Sequence, residues 1–254
     1  MRSAISVKKL NLFTVVKHSS KIDLSIIIPI FNEEEGIEPT IDRIYQDAEK
    51  QPIKTLLNSF EVIAVDDGSF DNTNKVLNKL KKRHNNLRII KHSSNKGLGA
   101  AILTGVRYSK KKFITYLPAD GQAFLSEISS GLRVAPFSDL VLTYRGKRED
   151  YNPYRHLLSN SLMISMRIFF GLKFKDYNWV HIYKRSLFDN IKVKSKGVFY
   201  LAEIVVRANQ NGVKILEARA KYHPRSTGYS KNARLKIVIK TLIDLLKLWK
   251  ELKI

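Results

Sequence analysis

An α/β fold with a mostly parallel sheet is what this amino-acid sequence predicts. Between residues 24 and 122, short apolar runs alternate with segments whose apolar residues recur every three or four positions. Those are the signatures of buried strands and amphipathic helices, and their alternation implies right-handed crossovers between parallel strands. The apolar runs end abruptly in turn-forming residues, most clearly at 65–69 (VDDGS) and 117–122 (LPADGQ). A chain of 254 residues without internal repeats is long enough for one such domain with a substantial core.

The first strand is expected at 24–30, followed by the acidic run Glu33, Glu34 and Glu35 and a helix over 37–49. The second strand covers 60–65, and its helix, 71–84, has Asp71 or Asn72 at its start as an N-cap. A third strand at 87–92 leads to a glycine-rich turn at 95–100, which opens a helix through Tyr108. The fourth strand is 113–117. Beyond it the pattern loosens. Residues 139–144 form a strand ending at Arg145, 154–170 a long helix stopped by Gly171, and 180–183 a short strand. A helix at 200–211 ends at Gly212, a strand spans 213–220, and the loop 223–231 follows. In the last segment, 233–254, Leu235, Val238, Leu242, Leu245, Trp249 and Leu252 recur at spacings of three and four. Lys236, Lys240, Lys247 and Lys250 take the remaining surface. Such a basic amphipathic helix either packs on the domain or on another subunit, or lies in a membrane interface. The expected division is a basic extension over 1–22, one large domain over 23–232 and this helix over 233–254.

Composition narrows the function. The absence of cysteine removes disulfides, thiolate metal sites and cysteine nucleophiles. No apolar stretch approaches the ~20 residues that span a bilayer, and residues 1–21 lack the apolar core of a secretory signal. A cytoplasmic protein, peripheral to a membrane, is expected. Lys and Arg number 45 against 23 Asp and Glu, a net charge of +22. That excess favours an anionic partner: nucleic acid, an anionic membrane or phosphorylated ligands. A generally lysine-rich composition would give the same charge without any function. The charge is scattered and no nucleic-acid-binding motif is present, so no nucleic-acid partner is expected.

Two strand ends place carboxylates at one edge of the sheet, Asp66 and Asp67 after the second strand and Asp120 after the fourth. That edge of an open α/β sheet is where ligands bind. Asp120 and Gln122 offer hard oxygen ligands suited to Mg²⁺ or Mn²⁺, to which a diphosphate would add others. The Asp-Gly-Ser turn is equally a common helix cap, and the glycine-rich turn either contacts phosphate or simply turns. Arg145, Arg155, Arg225 and Lys231 sit beside the same edge and together suit two phosphate groups, although any one alone reads as a solvated charge. No Ser-His-Asp arrangement or nucleophile elbow appears, which leaves acyl transfer unsupported.

In this order, the motifs at 28–33 (IPIFNE), 65–69 with Asp71, 95–99 (NKGLG), 119–122 (ADGQ), 143–145 (TYR), 154–159 (YRHLLS) and 225–231 (RSTGYSK) resemble the family 2 glycosyltransferases of the GT-A fold. Within that family they resemble the polyprenyl-phosphate glycosyltransferases typified by dolichol-phosphate mannose synthases. The resemblance covers most of the chain and implies a Rossmann-like nucleotide-binding domain. It implies that Pro29, Phe31, Glu33, Val65 and Asp67 contact the nucleotide and that Asp120 and Gln122, beside Ala119, hold the metal. It further implies that Arg145, Arg155, Ser159, Arg225 and Lys231 bind the donor diphosphate and the lipid phosphate, with Asp120, Arg145 and Arg225 closest to the chemistry. The implied partners are a nucleotide-sugar donor, a polyprenyl phosphate and a membrane surface, and the pattern admits a membrane-anchored partner subunit. Two departures stand out: Pro118 replaces the usual first Asp of the metal motif, and 178–183 (NWVHIY) replaces a Gly-Phe pair and a basic residue.

The resemblance implies inverting transfer of a sugar to a polyprenyl phosphate. That acceptor is ionised at neutral pH, so no strong base is required. A sugar-hydroxyl acceptor would need one, and Glu203 is the residue available. A nucleotide-sugar-binding protein without catalysis is the alternative that Pro118 prompts.

Overall fold

The computed structural model describes residues 20–146, 152–222 and 235–252. Among them lie strands β1 (Ile22–Ile30), β2 (Leu57–Asp66), β3 (Leu87–Lys91), β4 (Phe113–Tyr116), β5 (Leu140–Arg145), β6 (His181–Lys184) and β7 (Ile215–Ala220). They form one sheet in the order β3-β2-β1-β4-β6-β5-β7. Helices α1 (Ile37–Glu49), α2 (Ile53–Leu56), α3 (Thr73–Arg83), α4 (Leu98–Tyr108) and α5 (Ser129–Val134) belong to the first half. Helices α6 (Pro153–Phe170), α7 (Leu187–Asn190), α8 (Tyr200–Gln210) and α9 (Leu235–Leu252) belong to the second. The sheet is mostly parallel, as expected, and the fold is α/β.

Local chemistry explains the elements that were legible in advance. β1 and β2 carry near-continuous apolar runs because both faces of a central parallel strand are covered. On α1 the buried Ile37, Ile41 and Ile44 follow the helical period, each burial stabilising by about 1.5–3 kcal/mol. Gly171 ends α6 in the left-handed conformation, φ 68°. The elements not foreseen are α2, α5 and α7, which are too short to display a period.

α4 crosses β1 at Gly105, where an added Cβ would lie 2.4 Å from Ile27 Cγ2. Alanine is the better helix former, yet here overpacking dominates. Gly105→Ala is expected to lower stability by about 1–3 kcal/mol, measurable as a shifted urea midpoint with unchanged slope.

The topology sets the site. From β1 the chain builds outward through β2 and β3, then returns to add β4 on the other flank, so the loops after β1 and β4 diverge around a crevice. β6 departs from the simple crossover pattern: it runs antiparallel to both β4 and β5. Its first residues therefore sit at the edge where β4 and β5 end, and the segment leading into it reaches the crevice. β7 runs parallel to β5 and delivers Tyr222 to the same edge.

α9 packs through the buried Leu245 and Leu248. Polar contacts reinforce it: Ser195 donates to Asp244 at 2.8 Å, and Glu251 pairs with Lys194 at 3.0 Å and Arg207 at 3.1 Å. Packing on the domain is thus one function of the predicted amphipathic helix.

Candidate active site

The loops after β1 and β2 are stitched together. Ser69 Oγ accepts from the Asn32 amide at 3.0 Å, and Asn32 Oδ1 accepts from the Phe70 amide at 3.1 Å. Thr73 Oγ1 accepts from Glu33 N–H at 2.9 Å, and Glu34 Oε2 from Asn72 N–H at 2.9 Å. Asn32 meets these partners at φ 53°, a conformation asparagine tolerates better than most residues. Asp71, not Asn72, caps α3, its Oδ1 accepting from Thr73 N–H at 3.0 Å. Burial raises the Asp71 pKa, but hydrogen bonds from Thr73 and the Glu34 amide outweigh it and hold the carboxyl below its usual range.

This stitching fixes two aromatic rings at the crevice. Phe31 and Phe70 meet edge to face with centroids 5.9 Å apart, and Phe70 is 84% exposed. Sequence reasoning missed Phe70; the only signal was an aromatic inside a turn. Pro29 and Val65 are register partners on β1 and β2. Val65 is fully buried.

Neither aspartate of the double-Asp turn caps the following helix. Asp66 is fully buried and closes the turn by accepting from the Ser69 amide at 2.8 Å. The buried Asp67 organises the glycine-rich loop: Oδ1 accepts from Lys96 N–H at 2.9 Å and Oδ2 from Gly97 N–H at 2.8 Å. His92 Nδ1 lies 2.6 Å from Asp67 Oδ1. A carboxylate only accepts, so this nitrogen carries the proton. The loop is braced from the other side as well, where the Gly99 amide donates to Lys196 O at 3.0 Å. Gly97, at φ 94°, leaves no room for a side chain against that carbonyl.

Across the crevice, Ala119 is buried, and its carbonyl accepts from Thr40 Oγ1 at 2.9 Å. Asp120 and Gln122 follow at half-buried positions. Asp120 Oδ1 accepts from the Gln122 amide at 3.3 Å, and Gln122 Nε2 donates to the Tyr222 hydroxyl at 3.2 Å. That bond commits the side-chain nitrogen of Gln122 to the protein. Tyr222 packs edge-on against Trp179 at 5.4 Å, and the Arg145 guanidinium lies over both rings, 4.5 Å from Trp179 and 5.9 Å from Tyr222. Arg145 also forks onto Asp176, Nε to Oδ2 at 2.8 Å and Nη2 to Oδ1 at 3.1 Å, with both partners almost wholly buried. The sequence pointed to Arg145 but not to Asp176, which sits in an irregular segment with no motif of its own.

Behind this cluster, burial raises the Tyr116 phenol far above its ordinary value, with Arg145 opposing and Asp176 and Asp120 adding to the rise. The three charged groups therefore act on one buried point. Burial also lowers His181, fully enclosed, to about 4, keeping it neutral near pH 7.

The structure thus brings Asp120, Gln122 and Arg145 together through Tyr222. Phe31, Glu33 and Asp67 sit on neighbouring loops of the same sheet edge. Arg155 and Ser159 occupy the first turns of α6, where Asn152 Oδ1 caps the helix by accepting from Arg155 N–H at 2.8 Å. Arg225 and Lys231 lie outside the described residues. Glu203, the base available for a hydroxyl acceptor, is buried in other work. Its Oε1 accepts from Arg207 Nε at 2.7 Å and Lys194 N–H at 3.0 Å, and its Oε2 from Ser195 N–H at 2.7 Å. Among the described residues no cluster of three or more His, Asp or Glu is arranged to hold a metal ion. A cation at Asp120 and Gln122 would draw its remaining ligands from a bound substrate, and those two hard oxygen donors fit that role.

The sheet edge that gathers Asp120, Gln122 and Arg145 lies at a topological switch point, where open α/β sheets bind their ligands. The sequence profile of "Glycosyl transferase family 2" matches residues 25–189, and the chain belongs to that family. It is 32% identical over 113 residues to a dolichyl-phosphate beta-glucosyltransferase of Dictyostelium discoideum, covering 42% of this chain and 35% of that one. It is 28% identical over 227 residues to the undecaprenyl-phosphate 4-deoxy-4-formamido-L-arabinose transferase of Proteus mirabilis (strain HI4320), covering 88% and 66%. The chain thus spans about a third of the length of the first of these and two thirds of the second. The glucosyl-3-phosphoglycerate synthase of Mycobacterium tuberculosis, solved with Mn²⁺, uridine diphosphate and glucosyl-3-phosphoglycerate, superposes with a TM-score of 0.70 at 15% identity, covering 97% of this chain and 87% of that one. The fold is the GT-A fold.

Proposed function

We propose that the chain transfers a hexosyl group, with inversion, from a nucleotide sugar to a polyprenyl phosphate at a membrane surface. The observation that carries this reading is the state of Glu203. Glu203, the carboxylate considered for deprotonating a sugar hydroxyl, is occupied by Arg207 and two backbone amides. A phosphate acceptor needs no such base. The names of the polyprenyl-phosphate sugar transferases that the chain resembles support the same acceptor.

In the proposed reaction an oxygen of the lipid phosphate attacks the anomeric carbon. The bond from that carbon to the donor diphosphate breaks, and its electron pair leaves with the nucleoside diphosphate. Phe31, Glu33 and Asp67 would hold base and ribose, with Asp67 shaping the 95–100 loop around them. Mg²⁺ or Mn²⁺, held by Asp120 and the Gln122 amide oxygen, would supply positive charge for the departing diphosphate. Arg145 would add a cation that needs no reorganisation, since Asp176 and Trp179 already fix its plane. Arg155, Ser159, Arg225 and Lys231 are proposed to receive the phosphates of donor and acceptor. A site on the cytoplasmic face of a membrane goes with this reading, because there a nucleotide-sugar donor meets a lipid acceptor.

The test is transfer of radiolabel from a panel of nucleotide sugars to short polyprenyl phosphates with Mg²⁺ or Mn²⁺ present. Label partitioning into organic solvent as a sugar-phosphate lipid is expected. Label transferred only to soluble glycans, or donor binding without any transfer, would overturn the reading.

A further inference from the structure

We propose that α6 and α9 together form a docking face for an anionic bilayer, a deepening of the lipid-acceptor reading. Both helices bury one side against the domain and leave a second apolar side uncovered. On α9, Leu245 and Leu248 face inward, whereas Ile239, Leu242, Ile243, Leu246 and Trp249 are exposed. At about 100° per residue, those five fall in a stripe roughly 120° wide. The exposed Lys240 and Lys247 line one flank of the stripe, and the exposed Lys250 lies within it. On α6, Met166 and Phe170 face inward, while Leu157, Ile164 and Ile168 are 63, 57 and 71% exposed and project from one side. Phe169 and Trp249 join the two helices, ring centroids 5.5 Å apart.

Charge selects the occupant. A second copy seated face to face would bring two lysine-bearing faces together on a chain already at +22. An anionic lipid surface takes the apolar stripes into its interface and neutralises the lysines. No described helix is long and apolar enough to cross a membrane, so the contact is with one leaflet. α6 also gives the face its purpose. Arg155 and Ser159, four residues apart, lie on the inward side of the helix whose outward side carries Leu157. A lipid phosphate held there would keep its hydrocarbon on the bilayer side of the same helix.

The experiment is co-sedimentation of the full chain with phosphatidylcholine vesicles, with and without phosphatidylglycerol, in the absence of sugar donor and lipid phosphate. The readout therefore stands whether or not the transfer reaction does. The wild-type chain is expected to pellet with the anionic vesicles, less at high salt. Ile164→Glu/Ile168→Glu on α6 and Leu242→Glu/Leu246→Glu on α9 are each expected to lower the partition coefficient at least about tenfold. Both pairs are surface changes, so thermal midpoints should stay near wild type, and transfer to short acceptors in detergent should persist. Three results would overturn the proposal: no binding by the wild type, full binding by the α6 pair, or light scattering showing a dimer that either pair converts to monomer.

Discussion

Replacing Asp120 with Ala is expected to lower glycosyl transfer by about 10²–10³-fold, the usual effect of removing one group that stabilises transition-state charge. The loss should appear in kcat more than in donor affinity, because the base and ribose contacts proposed above lie on the β1 and β2 loops. Asp120 lies beside Gln122, and among the described residues no group of three or more His, Asp or Glu is placed to hold a metal instead. Asp120→Asn keeps the shape and the bond from the Gln122 amide but removes the charge, so it should fall almost as far. Single-turnover kinetics at saturating Mn²⁺, beside titration of Mn²⁺ by electron paramagnetic resonance, separates lost metal from lost folding. Unchanged turnover in either variant removes the metal from Asp120.

The second large effect is expected at Asp176. Its carboxylate takes both arms of Arg145 in a pair that is almost wholly buried. Asp176→Ala leaves a guanidinium with its charge in place and little water to reach it, a loss of about 3–5 kcal/mol. The Asn178 carbonyl and the Trp179 face stay beside the guanidinium, but neither carries a compensating charge, and the cation–π contact contributes only about 0.5–2 kcal/mol. In a chain of this size each kcal/mol lowers the melting midpoint by roughly 2–4 °C. A double change, Arg145→Met with Asp176→Leu, should recover most of the stability, since well-packed apolar pairs replace buried ion pairs at little cost. It should not recover transfer. If the double variant is as active as wild type, Arg145 is structural and plays no part in binding the diphosphate.

The first half of the molecule was legible because its signals are local. An apolar run closed by VDDGS or LPADGQ states both a strand and the edge at which it ends, and β1 to β4 arrived within a few residues of expectation. What escaped is information carried by partners. The apolar residues of β6 show a strand but not its direction, and the antiparallel setting is what delivers Asp176 to Arg145. The role of Glu203 could not be read from a helical pattern, because the amides that occupy it come from residues 194 and 195. The spacing on α9 reads as one face, whereas the fold splits it: Leu245 turns inward, Leu242 and Trp249 outward. α6 is apolar on two sides, which sequence periodicity blurs into one long helix. The loop bearing Arg225 and Lys231 lies outside the described residues, and its share in phosphate binding rests on the motif.

The brace between Gly99 and Lys196 has a bearing on how the polypeptide can be cut. The familiar stretch of the family stops at residue 189, yet the carbonyl that steadies the glycine-rich loop comes from seven residues further along. A fragment excised at that natural-looking limit would keep β1 to β6 and still lose the prop behind the glycine-rich loop. What alignment recognises as a module is, in three dimensions, an incomplete one.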